Sequence, residues 1–337
     1  MKKISWGIIG CGNVTEVKSG PAFNKVPNSE LVAVMRRNAE KAKDYAQRHC
    51  VDKWYANANE LINDKGVNAI YIATPPAYHE EFALMAIAAG KPVYIEKPMT
   101  LNAASAQRIA NAAIESKTKV CIAHYRRQQP LFKKIKSLLD QGIIGKVQTV
   151  QLEFIMPHNA PMIAQTQEPW RLNPAISGGG LFHDLAPHQL DLMYYFFGKP
   201  QKANGIAVNT SALYSAADTV SGQVLFENNV LFNGFWCFAS AAMQKKDHCI
   251  ITGSKGSIHF SIFDRAPLTV ITAKEEQNFY FDILPHVQQP MIEKVVQYFL
   301  GETSNPCSAK DGVIVMKLID ALTTIKNDCL SPISSIQ

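Results

Sequence analysis

Short apolar runs alternate with helix-like segments over residues 4–123, with roughly 20 to 25 residues in each strand and helix unit. When successive strands of one sheet are connected through helices, the strands are parallel and the helices cover both faces of the sheet. Residues 1–123 are therefore predicted to form an α/β domain with a doubly wound parallel sheet. The clearest strand-like runs are residues 4–9, 31–35, 68–73, 92–95 and 119–123, and the clearest helices are 39–48, 80–89 and 101–116.

The pattern changes after residue 123. A helix predicted over residues 131–141 is followed by strand-like runs that are separated by short polar turns, which favours a large, open and mostly antiparallel sheet. Two closing helices are expected to pack back on the first domain. Residues 124–337 are therefore predicted to form a second, α+β domain. Its predicted strands are 147–155, 203–208, 219–226, 230–238, 248–252, 257–260, 268–272 and 278–283, and its closing helices are 286–300 and 309–326.

Composition excludes several kinds of partner. The net charge is +6, but Lys and Arg are spread along the chain without a basic block, so nucleic acid is not expected as a partner. No apolar run approaches the roughly 20 residues that cross a bilayer, so no membrane segment is expected. The seven cysteines are scattered without C-x-x-C pairs or Cys/His clusters, which predicts reduced thiols, a cytoplasmic protein and no metal site.

A glycine-rich turn follows the first strand. Gly10 permits a tight turn, and Gly12 allows the backbone to approach a pyrophosphate. Asn13 and Val14 begin the next helix, whose first amides favour an anion. Thr15 replaces the third glycine of a dinucleotide-binding turn, which predicts slightly looser packing between helix and strand. The alternative is an ordinary glycine turn.

Two arginines end the second strand, about 20 residues after the glycine turn, where a carboxylate would hold the adenosine ribose of NAD. Arg36 and Arg37 at this position favour NADP over NAD, because guanidinium groups bind a 2′-phosphate that a carboxylate would repel. The alternative is a pair of solvated side chains.

Two further loops end predicted strands of the same sheet. Thr74, Pro75 and His79 follow one strand, and His79 is interpreted either as a cofactor contact or as the first residue of a helix. Glu96 and Lys97 follow the next strand, ahead of Pro98. Ligands of open α/β sheets bind outside the carboxyl ends of the strands, so these residues are predicted to lie at a site.

A second polar segment lies in the C-terminal half, after three consecutive glycines at 178–180. Pro187 favours a helix that begins near Asp184, since proline is tolerated in the first turn. Asp184 and His188, four residues apart, would then share one helix face as a proton-transfer pair. The alternatives are that Asp184 is an N-cap, His188 is a core histidine and Asp191 is a solvated carboxylate.

Together these motifs resemble the glucose-fructose oxidoreductase, inositol dehydrogenase and MocA (Gfo/Idh/MocA) family. The resemblance extends over nearly the whole chain. It rests on GIIGCG, TPPAYH, GKPVYIEKP, YRR, WR, GGGLFHDLAPHQLD and GSKGSIHF, of which EKP together with GGG-x3-D-x3-H is the most specific.

The resemblance implies a Rossmann domain and NAD(P)-dependent oxidation or reduction of a sugar, polyol or related alcohol. It implies Lys97 as the catalytic lysine, Asp184 and His188 as its partners, and Glu96 as the carboxylate beside the nicotinamide. It also implies that the domain of residues 124–337 binds the substrate and makes the oligomer contacts of a homodimer or homotetramer. Cofactor-loop positions matched by the family are Gly10, Gly12, Thr74, Pro75 and His79, and candidate substrate-pocket residues are Tyr125, Arg126, Arg127, Trp170, Arg171 and His183.

Two other functions are compatible with the same motifs. One is a glycoside hydrolase that retains its nicotinamide and uses transient oxidation. The other is a non-catalytic dinucleotide-binding regulator, against which the joint presence of Lys97, Asp184 and His188 argues.

Overall fold

A computed structural model describes residues 2–163 and 170–324. The first six strands form one parallel sheet in the order β3-β2-β1-β4-β5-β6, which confirms the predicted doubly wound architecture. The strand order reverses between β1 and β4, where such sheets bind ligands. These strands are β1 (Ile4–Ile9), β2 (Ser29–Met35), β3 (Lys53–Tyr55), β4 (Ala69–Ile72), β5 (Val93–Ile95) and β6 (Val120–Ile122).

Helices connect these strands, and several are capped by asparagine. The Asn38 side chain accepts a hydrogen bond from the amide of Lys41 at 2.9 Å, and Asn57 and Asn102 cap two later helices. The first helix is only five residues long and is followed by a 3-10 turn over Gly20–Asn24. The helices are α1 (Asn13–Val17), α2 (Ala39–Arg48), α3 (Ala58–Asn63), α4 (His79–Ala88) and α5 (Ala103–Glu115).

The second sheet has eight strands in the order β14-β13-β12-β11-β7-β10-β9-β8. Neighbouring strands are antiparallel except β7 and β10, which are parallel, so the predicted mostly antiparallel sheet is confirmed. Buried and exposed residues alternate along β7 and β10, so one face is packed and the other is open. The strands are β7 (Val147–Ile155), β8 (Pro200–Val208), β9 (Thr219–Phe226), β10 (Leu231–Cys237), β11 (Lys246–Gly253), β12 (Gly256–Phe260), β13 (Leu268–Thr272) and β14 (Glu276–Phe279).

The helices of the C-terminal half are α6 (Pro130–Asp140), α7 (Pro174–Ser177), α8 (Gly180–Phe197), α9 (Gln289–Leu300) and α10 (Ala309–Thr323). The last two contact the first sheet and its helices. Lys119 Nζ donates to the carbonyl of Tyr298 at 2.9 Å, and the amide of Ala103 donates to Asp320 at 2.9 Å. The predicted last two residues of α10, 325 and 326, lie outside the described residues. The division of the chain after residue 123 stays a prediction.

Helix α8 begins four residues before the predicted start. The prediction from Pro187 is wrong because glycines, not the proline, set the helix start. Gly178 and Gly180 have φ of +93° and +73°, and Ser177 Oγ accepts the amide of Gly180 at 2.9 Å. Pro187 lies inside α8, where burial of nearly the whole helix offsets the loss of one backbone hydrogen bond. The alternative that Asp184 is the N-cap is also wrong, because Gly179 has that position.

Among the helices in residues 2–163 and 170–324, none combines the length and the apolar character that a membrane crossing requires.

Candidate active site

The glycine turn after β1 is built for close backbone approach. Gly10 has φ of +93°, and an added Cβ would lie 2.8 Å from the amide nitrogen of Thr74. A Cβ on Gly12 would meet little but open space, with Gly10 O at 3.9 Å. Thr15 Oγ1 accepts the amide of Gly12 and donates to its carbonyl, both at 2.9 Å. Thr15 is fully buried, and the slightly looser packing between helix and strand stays a prediction.

The start of α1 and the end of β2 flank this turn. Asn13 is exposed and Val14 is half-buried at the first two positions of α1. Arg36 is half-buried, and the Arg37 guanidinium lies 4.9 Å from the ring centre of Tyr78. Neither arginine forms an ion pair with a residue that the structure describes. Two cationic groups are therefore available where the sheet would hold an adenosine ribose.

The loop after β4 supplies one hydroxyl without a partner. Thr74 Oγ1 is buried and makes no hydrogen bond to any described residue, next to Gly10. Pro75 is half-buried in the same loop. A buried hydroxyl of this kind is costly unless a ligand or water completes its hydrogen bonds. Together with the glycine turn, this orphaned atom fits a bound dinucleotide.

His79 links two loops. Its Nε2 lies 2.7 Å from the carbonyl of Thr74, and its Nδ1 lies 3.0 Å from that of Pro98. Complete burial lowers the pKa of His79 to about 4, although these carbonyls oppose the shift. Both ring nitrogens face backbone carbonyls, and the neutral ring can donate to one of them; the predicted contact of His79 with a cofactor stays a prediction. His79 holds the two loops together.

Glu96 is fixed at the end of β5 by residues that the sequence motifs did not indicate. Its Oε1 accepts from Tyr71 Oη at 2.5 Å and from Gln288 Nε2 at 2.6 Å, and its Oε2 accepts from the amide of Lys97 at 3.1 Å. Gln288 precedes α9, nearly 200 residues away in sequence, and no local pattern marks it. The carboxylate therefore has a fixed orientation behind Lys97.

Lys97 and Arg171 share one carboxylate. Lys97 Nζ lies 2.7 Å from Asp184 Oδ1, and Arg171 Nε lies 3.0 Å from Asp184 Oδ2. Burial alone would raise the pKa of Asp184, but the positive charges and hydrogen bonds of Lys97 and Arg171 outweigh burial and hold that pKa at about 2. Asp184 is therefore ionised at neutral pH. Arg171, predicted as a pocket residue, is also the second cation of this cluster.

His188 lies one helical turn after Asp184 and is buried. The rings of Tyr125 and Phe263 approach its imidazole edge-on, with centroids at 5.2 Å and 5.6 Å. Its Nδ1 makes no hydrogen bond to any described residue. Burial, followed by the positive charges of Lys97 and Arg126, lowers the pKa of His188 well below its ordinary value. The imidazole is therefore neutral at pH 7, with a ring nitrogen that is not engaged by any described residue.

Two of the predicted pocket residues after β6 have different surroundings. Arg126 is half-buried over the ring of Phe263, with its guanidinium carbon 4.4 Å from the centroid. Arg127 instead forms a buried ion pair with Asp191, with Nη2 2.7 Å from Oδ1. Arg127 therefore does not line the pocket as predicted, and the alternative of a solvated Asp191 is wrong. His124, which sequence reasoning missed, is buried with its Nδ1 3.8 Å from Asp191 Oδ1.

The remaining two predicted pocket residues are His183 and Trp170. The imidazole of His183 packs on Gly179 and lines a separate cavity of about 540 Å³ between the start of α8 and the end of α10. Both His183 and Asp184 belong to α8, and neighbouring residues of a helix point in different directions. The predicted helix began near Asp184 and therefore did not include His183. Trp170 is half-buried, and the guanidinium of Arg171 lies 4.3 Å from its ring.

The arrangement combines a cleft for a dinucleotide with groups for handling a proton and a negatively charged oxygen. The turn at Gly10 and the hydroxyl of Thr74 fit the nucleotide. Lys97, at the end of β5, meets Asp184 of α8, and His188 follows one turn later on the same helix. In the part of the chain that the structure describes, no three His, Cys, Asp or Glu side chains are grouped as metal ligands.

Comparison with known proteins identifies the family to which the sequence is similar. Residues 4–124 match the model of an oxidoreductase family with an NAD-binding Rossmann fold, and residues 132–259 match the GFO/IDH/MocA C-terminal domain. The chain is 48% identical to oxidoreductase P35 of Formosa agariphila over 94% of this chain and 98% of that protein.

Solved structures share the fold at lower sequence identity. A levoglucosan dehydrogenase in complex with NADH and levoglucosan superposes with a TM-score of 0.83 at 20% identity, over 95% of this chain and 96% of that one. The aldose-aldose oxidoreductase of Caulobacter crescentus in complex with glycerol gives 0.82 at 21% identity, over the same shares. With its two family domains and its 48% identical relative, this chain is an oxidoreductase of the GFO/IDH/MocA family, with an N-terminal NAD-binding Rossmann domain.

Proposed function

We propose that this oxidoreductase interconverts a hydroxyl and a carbonyl group on a sugar, a polyol or a related alcohol, using NADP in preference to NAD. The observation that carries the proposal is the Lys97 to Asp184 ion pair, with His188 one turn further along α8. It sets an acid-base pair beside the dinucleotide cleft. Levoglucosan and glycerol, bound by the two solved structures, are of the proposed chemical class.

Each of the three residues has a defined part. A bound nicotinamide nucleotide supplies the hydride chemistry. His188, held neutral, accepts the hydroxyl proton of the alcohol or returns it in the reverse direction. The ammonium of Lys97 stabilises the negative charge that develops on the same oxygen. Asp184, ionised and bound to Lys97 and Arg171, orients the ammonium and keeps it charged.

The preference for NADP rests on Arg36 and Arg37. Both lie at the end of β2, without an acidic partner among the described residues, where NAD-specific sheets carry a carboxylate. A 2′-phosphate would accept charge-assisted hydrogen bonds from these guanidinium groups. Gly10, Gly12, Asn13, Val14, Thr74 and Pro75 would line the rest of the nucleotide cleft, with Glu96 on the nicotinamide side.

The test is to replace Lys97 and His188 separately and to measure turnover on a panel of sugars and polyols at the nicotinamide absorbance. Lys97→Met and His188→Ala should each lower kcat/KM by at least about 10², the loss expected for a positioned acid-base group. Cofactor affinity should change little in His188→Ala. Lys310→Met, on the exposed side of α10, is the control and should keep wild-type turnover.

The outcomes separate the proposal from its alternatives. Turnover within a few-fold of wild type in both variants contradicts the assigned roles. A nicotinamide that stays bound through purification, with hydrolysis but no net reduction, identifies a cofactor-retaining glycoside hydrolase. Cofactor binding without any turnover identifies a dinucleotide-binding regulator.

We also propose that the open face of the second sheet forms a homodimer or homotetramer contact. Ile206 on β8 and Phe235 on β10 both lie opposite Ser221 of the intervening strand, so the two apolar side chains are on one face. Val208 and Leu231 extend this exposed apolar face. Apolar patches of this kind mark interaction surfaces in soluble proteins.

We expect the protein to act in the cytoplasm. The six cysteines of the described residues are all free, and four of them are buried. Free thiols are typical of a reducing compartment, since oxidising compartments favour disulfides.

A further inference from the structure

Arg126 is anchored next to His188 by the same two aromatic rings. Its guanidinium carbon lies 4.4 Å from the ring centre of Phe263 and 5.6 Å from that of Tyr125, and both rings also contact His188. Its Nη1 donates to the carbonyl of Ile262 at 2.5 Å. The aromatic contacts and this hydrogen bond therefore hold the cation near the proposed proton acceptor.

Arg126 forms no ion pair with a described residue. The carboxylates near the site are already used by other cations: Asp184 by Lys97 and Arg171, and Asp191 by Arg127. In addition, the Nε of Arg126 is buried and makes no hydrogen bond to any described residue. A half-buried guanidinium with an unused donor is unfavourable unless another group completes its interactions.

The position of Arg126 separates it from the cofactor phosphates. It follows β6, the edge strand of the first sheet, whereas the glycine turn follows β1. Two strands, β4 and β5, lie between them. The ribose position at the end of β2, with Arg36, is further still across the sheet. An anion bound by Arg126 would therefore belong to the substrate rather than to the nucleotide.

We propose that Arg126 binds an oxyanion of the substrate, so that this enzyme acts on an acidic sugar or polyol rather than on a neutral one. The proposal rests on the proposed function and specifies its substrate class. A carboxylate matches the planar donors of a guanidinium through two parallel hydrogen bonds, and sulfate and phosphate esters offer the same oxyanion chemistry.

An anionic substrate would also improve His188 as a base. Besides burial, the groups that lower the pKa of His188 are Lys97 after β5, Arg126 and His124 after β6, and Lys18 at the end of α1. Burial lowers the pKa of His124 itself to about 4, so the positive field at neutral pH comes from the two lysines and Arg126. The nearest carboxylate on its own helix, Asp184, is bound by two cations. A negative charge on Arg126 would offset part of this positive field and raise the proton affinity of His188 in the complex.

The experiment compares a neutral hexose with its hexuronate, and with its sulfate and phosphate esters, as substrates of the enzyme saturated with NADP. Wild type should favour the best acidic substrate over the neutral hexose by roughly 10- to 100-fold in kcat/KM, the range expected for a hydrogen-bonded charged group. Arg126→Gln should lose this preference mainly through KM, and Arg126→Lys should recover part of it. Lys133→Gln removes an exposed positive charge on α6 and should leave the preference intact.

Each outcome has a definite meaning. Preference for the hexuronate identifies a carboxylate, and preference for an ester identifies that ester. Equal kcat/KM for neutral and acidic substrates, or a preference that survives Arg126→Gln in a protein with wild-type Tm, overturns the inference and leaves the proposed function standing. If no compound is oxidised, the proposed function fails, but the oxyanion site can still be tested by ligand-induced shifts of Tm. Hexuronate should then raise the Tm of wild type more than hexose does, and this difference should disappear in Arg126→Gln.

Discussion

Replacing Asp184 with Asn should destabilise the protein strongly, because two buried cations would lose their shared counter-ion. The side chains of Lys97 and Arg171 are only 12% and 11% exposed, so water cannot replace the carboxylate. A pKa lowered from 3.8 to about 2 corresponds to about 2 kcal/mol between the charged and neutral forms of Asp184. Leaving buried charges unpaired raises the expected loss in the free energy of unfolding to about 3–5 kcal/mol.

The measurement is urea unfolding of wild type, Asp184→Asn, Lys97→Met and the double variant. The double variant removes both members of the pair, so its loss in the free energy of unfolding should be smaller than the sum of the two single losses. The expected difference, the coupling energy, is about 1–3 kcal/mol. Asp282→Asn, at an exposed carboxylate, is the control and should stay within about 0.5 kcal/mol of wild type.

The pH dependence has a definite sign. The pKa of Asp184 is lower in the folded protein than in the unfolded chain. The contribution of the ionised carboxylate to the free energy of unfolding is therefore complete above pH 4 and is lost as the pH falls toward 2. The stability difference between wild type and Asp184→Asn should therefore narrow over that range. A difference below 1 kcal/mol at pH 7, or one that does not change down to pH 3, would refute the shared-carboxylate argument.

Four other substitutions test three separate parts of the molecule. Gly10→Ala should lower Tm, because the residue has φ of +93° and no room for a Cβ beside Thr74. Gly12→Ala should keep Tm and weaken NADPH binding in a calorimetric titration. Equal effects of the two substitutions on Tm and on binding would contradict these separate roles. Arg36→Asp should weaken NADPH binding roughly tenfold or more and leave NADH binding within a few-fold, and unchanged fluorescence titrations would exclude a role in cofactor choice. Phe235→Lys should shift the mass measured by light scattering to that of the monomer, and a monomeric wild type would remove the basis of the oligomer proposal.

Most strands and helices of both sheets were predictable because their signals are local, but the last strand, predicted over residues 278–283, is observed at Glu276–Phe279. The predicted strand at residues 147–155 and the helix at 39–48 match the observed bounds. Asn38 caps that helix as expected from its position ahead of an Ala-rich segment. The start of α8 was not predictable from Pro187, since burial of the whole helix offsets a local preference that would hold for an exposed one.

Polar residues at strand ends were predictable as a group, but their partners were not. Lys97 and Asp184 are 87 residues apart and meet only in the folded chain. Arg126 and Arg127 are adjacent in sequence, yet Arg127 forms an ion pair with Asp191, whereas Arg126 has no acidic partner among the described residues. Periodicity does not reveal which of two neighbouring arginines finds a carboxylate, because that depends on how α8 packs against the turn after β6 that carries both arginines.

Helix α8 carries two acidic residues seven positions apart, and each is bound by a cation from the end of a different strand of the first sheet. Lys97 after β5 binds Asp184, and Arg127 after β6 binds Asp191. Seven residues are about two helical turns, so both ion pairs lie on the same side of the helix. A hinge motion that separates α8 from the nucleotide sheet would have to break both buried pairs. The two pairs therefore fasten α8 to the first sheet at two points and oppose a hinge motion between them.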